Sequence, residues 1–213
     1  MAHGFWFGRR WIMSQPMNMV SSVLPIAAQF ESDRLILRSY KPGDGLMYFN
    51  IGQKNRPHLQ RYESKNSINH LDSAEQSERL IAGYISAWKK HEFFMLGAFD
   101  KASGDFVGQI YVGTVSRDLP EYEVGYFADL EHEGMGYITE AVRATLNWIF
   151  TELKAQRVSL RCSDTNYRSA RVAERCGFTQ EGHLRKSRRD AEGSYSGDLI
   201  YGLLRAEFEN HNE

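Results

Sequence analysis

The chain has 213 residues, 42% hydrophobic and 25% charged, with a formal net charge of −1. This is the make-up of a soluble globular protein of one domain with a tail, and it lacks the basic footprint of a nucleic-acid binder. Two cysteines and seven histidines give neither a disulfide framework nor zinc spacing, so no metal is expected. Cys162 and Cys176 read as buried reduced thiols, which favours a cytoplasmic location.

Residues 1–30 contain no Asp or Glu, and Gln15, Pro16 and Asn18 interrupt the apolar core that a signal peptide would need. A flexible extension is expected there, followed by a domain over 31–208 and a tail over 209–213. No stretch is apolar enough to span a bilayer, and no membrane partner is expected. Residues 34–38, RLILR, predict a first strand. Residues 42–52 predict a short helix, and 55–70 read as polar and irregular. Ser73 and Gln76 form a capping-box pattern. It opens a helix with Leu80, Ile81, Tyr84, Ile85 and Trp88 on one face. Residues 93–99, 106–115 and 122–127 predict an antiparallel meander. Ile138, Ala141, Val142, Thr145, Leu146 and Ile149 then mark one face of a helix. That helix leads to a strand at 157–162, and a strand–helix–strand crossover implies a parallel pair. A short helix over 168–176 ends at Gly177, where a left-handed cap belongs. A hairpin over 185–201 around Gly193 and a closing strand at 199–204 complete an α/β (α+β) fold: a mixed, mostly antiparallel sheet with helices on both faces.

The most informative stretch joins the strand ending near Phe127 to Gly134-Met135-Gly136 and the helix behind it. Such a turn gathers unpaired backbone N–H groups at the positive end of a helix dipole, which suits a pyrophosphate. Neither G-x-x-x-x-G-K-[ST] nor G-x-G-x-x-G is present. Coenzyme A is therefore the leading ligand. An ordinary tight turn is the alternative.

Four segments carry a resemblance that no single motif would. They are Ser32-Asp33-Arg34-Leu35-Ile36-Leu37-Arg38; Val124-Gly125-Tyr126 with Gly134-Met135-Gly136-Tyr137-Ile138-Thr139-Glu140-Ala141; Asn166-Tyr167-Arg168-Ser169 with Gly177-Phe178; and Gly182-His183-Leu184-Arg185 with the closing segment through Phe208. In this order they resemble the GNAT superfamily of acetyl-CoA-dependent N-acyltransferases, and within it the RimJ/RimL branch. The resemblance implies that two parallel strands splay apart and take acetyl-CoA between them. Tyr126, Phe127 and Ala128 would line the fork. Glu131, His132, Glu133, Gly134, Met135, Gly136 and Tyr137 would form the pyrophosphate loop. Glu131 stands where the family has Gln or Arg, so it is expected to point away and leave the contacts to backbone amides.

The same resemblance implies roles for side chains. Glu123 is the first candidate for the base, with Asp129, Glu131, His132 and Glu133 as alternatives. The tyrosine that many members place seven residues after the Asn is Ala173 here. The branch's alternative acid, a serine three residues after it, is Ser169. Asn166 would bind cofactor, or cap its helix, or both. The position of the branch's proposed base on the last hairpin falls on Arg188, which cannot act as one. His58, Leu59 and Tyr62 would line the acceptor pocket, where Tyr62 replaces the tryptophan-bearing segment common among ribosomal-protein enzymes.

Three functions follow as alternatives. One is acetylation of a protein N-terminal α-amine. Another is acetylation of a small amine such as an aminoglycoside, a polyamine or an amino acid. The third is a CoA-binding sensor or scaffold without turnover. A homodimer is a family-level expectation.

Overall fold

The chain forms one eight-stranded mixed sheet in a computed structural model that describes residues 26–64, 66–189 and 193–210. Residues 1–25 of the extension expected over 1–30, and 211–213 of the expected tail, lie outside the described residues. The strands are β1 (Gln29–Glu31), β2 (Leu35–Ser39), β3 (Phe93–Asp100), β4 (Phe106–Ser116), β5 (Glu121–Ala128), β6 (Arg157–Ser163), β7 (Thr179–Arg189) and β8 (Tyr195–Leu204). Their order across the sheet is β1-β2-β3-β4-β5-β6-β8-β7. The parallel pair is β5 with β6, and the other neighbours run antiparallel. The meander and the crossover expected from the sequence are both present.

The central strands are apolar on both faces because both faces are covered. Along β3, Phe94, Leu96 and Ala98 enter one core while Met95 enters the other. The first core takes the apolar stripe of helix α3 (Tyr137–Thr151), with Ala141, Val142, Leu146 and Ile149 buried in it. The second packs Tyr48 and Ile51 of α1 (Gly45–Tyr62) and Ile81 and Tyr84 of α2 (Ala74–Lys89) against Tyr40, Met95 and Phe127. Helix α4 (Tyr167–Arg175) ends at Gly177, whose φ is +85°. Helix α5 (Arg205–Asn210) follows β8.

Three elements differ from the sequence reading. Strand β1 pairs with β2, and Phe30 stacks on Trp148 with ring centroids 5.4 Å apart. The last hairpin starts earlier than residue 185, because β7 begins at Thr179. Helix α1 runs to Tyr62 instead of ending near residue 52. Its interior Pro57 has no N–H and leaves a carbonyl without its helical donor. Tertiary contacts outweigh that loss. Leu59 is buried, Asn55 is fully buried, and the Asn55 amide donates to the Ile51 carbonyl at 3.0 Å.

Candidate active site

Pairing between β5 and β6 stops at Val124 and Leu160, although β5 continues to Ala128 and β6 to Ser163. The strands splay beyond that point. Residues 125–128 keep their bonds to β4, and their β6-facing backbone groups open onto a cleft. The cleft has a volume of about 930 Å³ and extends to the start of α3, the face of α4 and the end of α1.

The glycine loop forms its far wall. Gly134 and Gly136 have φ of +77° and +81°, a region that glycine enters without the Cβ clash of other residues. Gly136 occupies the cap position of α3 and offers no side chain to the first-turn amides. No acceptor among the described residues takes the N–H groups of Gly134, Gly136 or Tyr137. These donors and the helix dipole fit an anionic pyrophosphate, as the open strand edges fit an extended amide-bearing arm.

Two sets of contacts fix this loop. From the first-strand segment, the Arg34 guanidinium donates to Glu140 at 2.6 Å and to the Met135 carbonyl at 3.2 Å. It also lies 4.3 Å from the centre of the Tyr137 ring. Ser32 adds a bond to Glu140 at 2.7 Å. The Ser-Asp-Arg run and the glycine run are thus two halves of one structure. From α1, Asn55 donates to Asp129 at 2.9 Å and accepts the Leu130 amide at 2.8 Å. Lys54 and His132 reach the same carboxylate at 2.9 and 2.8 Å. Burial alone would raise the Asp129 carboxyl, but its donors Asn55, Lys54 and His132 outweigh it and hold it low. Asp129 is committed to holding the loop and has no capacity left to act as a base.

The sequence-derived residues divide clearly. Tyr126, Phe127 and Ala128 line the cleft, as do His132, Glu133, Gly134, Gly136 and Tyr137. His58, Leu59 and Tyr62 join them from α1, and Asn166 and Ser169 from α4. Glu131 and Met135 do not. Glu131 turns to Lys54 at 2.5 Å, and the Met135 side chain is exposed. Glu123 is also outside the cleft lining. It lies in the paired part of β5, between Gly113 and Ser159. Burial raises its carboxyl above the usual range, with Arg161 pulling it down and Glu121 pushing it up.

At the fork, Asn166 caps α4 by accepting the Ser169 amide at 3.2 Å. The Tyr126 hydroxyl lies 3.0 Å from Ser169 Oγ and donates to the Ser169 carbonyl at 3.0 Å. Burial raises the Tyr126 phenol well above its usual value, against the pull of its bond to Ser169. It therefore stays protonated at neutral pH. The phenol missing at Ala173, which is fully buried, has a counterpart on β5. Only the folded contact between β5 and α4 reveals it. Local sequence carries no such signal.

The acceptor end of the cleft is charged. Glu133 is bonded by Arg168 and lies 3.3 Å from His58 Nε2. Tyr62 donates to the Thr165 carbonyl at 3.2 Å and so docks the end of α1 on the loop before α4. Arg188 pairs with Asp198 across the β7–β8 hairpin and faces the cleft. Glu63, which the sequence reading passed over, also lines it. Among the described residues no group of His, Cys, Asp and Glu could hold a metal ion. No helix among them is long and apolar enough to cross a membrane.

A family model described as an acetyltransferase (GNAT) domain matches residues 34–179. The chain belongs to the GNAT family. "Probable N-acetyltransferase YjcK" of Bacillus subtilis is 33% identical over 116 residues, which is 54% of this chain and 64% of that protein. The aligned stretch is thus less than two thirds of YjcK's own length. The ribosomal-protein-serine acetyltransferase of Escherichia coli is 26% identical over 134 residues, 63% of this chain and 73% of its own. Among solved structures, RimL, a ribosomal L7/L12 alpha-N-protein acetyltransferase in complex with coenzyme A, matches with a TM-score of 0.73 at 19% identity. That match covers 84% of this chain and 97% of RimL, and at such identity it speaks to the fold.

Proposed function

We propose that the chain is an acetyl-CoA-dependent N-acetyltransferase whose acceptor is the α-amine of a protein N-terminus. The observation that carries this reading is the fork. Two parallel strands part beside a loop of unpaired amides, and a serine–tyrosine pair stands where they separate. The names of the E. coli relative and of RimL support a protein acceptor.

Acetyl-CoA supplies the activated acyl group as a thioester. The residues of the chain do the rest. The amides of Gly134, Gly136 and Tyr137 hold the diphosphate. The free edge of β5 over residues 125–128 holds the pantetheine arm and offers an N–H to the oxyanion that develops on the acyl oxygen. Ser169, backed by the Tyr126 hydroxyl, gives a proton to the departing thiolate.

An α-ammonium has a pKa of about 7.7–8.0 and a lysine one of about 10.4, so an N-terminal amine needs only a mild base at neutral pH. Thiol release from acetyl-CoA, measured against peptides with free N-termini and against polyamines, aminoglycosides and amino acids, tests the reading. Turnover confined to peptides is expected. Turnover confined to small amines would replace the acceptor, and coenzyme binding with no turnover would leave a sensor or scaffold.

A further inference from the structure

We propose that Glu63, at the C-terminal end of α1, is the carboxylate that receives the acceptor's ammonium and takes its proton. This rests on the acyl-transfer reading above. Among the described residues that line the cleft, only Glu63 and Glu133 carry carboxylates. Glu133 is held by Arg168 and His58. Outside the lining, Asp129 and Glu131 are held by Lys54, and Glu123 is in the paired part of β5. Glu63 makes no hydrogen bond or close ion pair through its side chain with any described residue. It is the one cleft carboxylate with its acceptor capacity free.

Its place supports the role. Tyr62 ties the end of α1 to Thr165, one residue before Asn166. Arg188 lines the cleft together with Glu63 and acts on its carboxyl. Glu63 and Ser169 line the same cleft. Crowding by the cleft wall raises the Glu63 carboxyl to about 7, while Arg188 pulls it down. Glu63 is exposed by its solvent-accessible surface, so water at the cleft tempers that rise. The charged and titratable groups that share the cleft with it are Arg188 on β7, Arg161 on β6, His58 and Arg61 on α1, His132 and Glu133 on the loop, and Arg168, Arg171 and Arg175 on α4.

The chemistry balances. Glu63 takes one proton from the ammonium and frees a lone pair. The nitrogen forms its bond to the acyl carbon as the carbon–sulfur bond breaks. Ser169 gives its proton to the sulfur, and the second amine proton restores the Ser169 hydroxyl. The products are the amide, the thiol and a protonated Glu63. A raised carboxyl takes a proton from an α-ammonium near about 7.7–8.0 at less cost than from a lysine near about 10.4. The site therefore favours N-terminal amines over lysine side chains.

The test compares the full chain with Glu63→Gln, Glu63→Asp and Glu123→Gln, using acetyl-CoA and a free-N-terminus peptide from pH 5.5 to 9.5. Coenzyme binding is measured by calorimetry alongside. Glu63→Gln is expected to lose about 100-fold in kcat/KM and the acidic limb of its pH profile. Its CoA affinity should stay within about twofold of wild type. Glu63→Asp should keep a shifted limb, and Glu123→Gln should keep the wild-type profile. A Glu63→Gln protein with wild-type rate and limb and intact CoA binding overturns the role of Glu63 and leaves acetyl transfer standing. A wild-type chain that binds CoA but acetylates neither peptide nor small amine overturns both.

Discussion

At the fork, one hydroxyl pair decides the fate of the leaving group. Ser169 Oγ has the Tyr126 hydroxyl 3.0 Å away, and burial keeps that phenol protonated. Ser169→Ala is therefore expected to lower kcat by about 100-fold and Tyr126→Phe by about 10-fold, the range of a lost proton donor and of its support. CoA affinity should change little in either, as single-turnover kinetics beside calorimetry would show. Gly136 is a second single-residue control. A Cβ there meets nothing nearer than Arg34 Nη2 at 3.6 Å, so space is not the obstacle; the φ of +81° is. Gly136→Ala should cost about 1–2 kcal/mol in urea unfolding and loosen CoA more than it slows the acyl step. The glycine loop was legible in the sequence because strand, glycines and helix lie in one run. Tyr126 as partner of Ser169 was not, because 43 residues separate them and only the folded contact between β5 and α4 joins them. Glu63 was illegible for the same reason, since nothing local distinguishes it from other exposed carboxylates.

The elements show where periodicity suffices and where tertiary contacts override it. The apolar stripe of α3 and the β3–β4–β5 meander follow from periods of 3.6 and 2, and the structure has both. The second half of α1 reads as irregular because Asn55 and Pro57 are poor helix formers. It is helical because Asn55 is fully buried and joins α1 to the pyrophosphate loop through Asp129 and Leu130. That joint brings the acceptor-side residues His58, Leu59, Tyr62 and Glu63 up to the cofactor loop. Asn55→Ala would take one donor from the buried Asp129 carboxylate and leave the Leu130 amide without its acceptor, at a cost of about 2–3 kcal/mol. Because the loop and α1 would loosen together, KM should rise for both acetyl-CoA and acceptor. A rise in one alone would show that the two sides are held independently.

Across the whole molecule, two kinds of carboxylate shape the response to pH, with opposite signs. Asp129 and Glu140 are held below their ordinary range by their donors. The stability they contribute is present above the unfolded values, about 3.9 and 4.3, and is lost as pH falls through their lower folded values. Crowding at the cleft raises the Glu63 carboxyl toward about 7, tempered by its exposure. The stability tied to its protonated form is present below about 4.3 and fades as pH climbs to about 7. Glu63→Gln should therefore match wild type in Tm at pH 5 and exceed it slightly at pH 8, whereas Asp129→Asn should fall below wild type at pH 7 and approach it near pH 3. Thermal melts at those pH values check both signs.

All of this depends on a nucleotide thioester seated between β5 and β6. Titration of 15N-labelled protein with acetyl-CoA, followed by amide NMR, tests that most directly. The account predicts saturable shifts concentrated at residues 125–128 and 134–137 and at the start of α4. No saturable shifts at millimolar acetyl-CoA, or shifts gathered elsewhere, would contradict it.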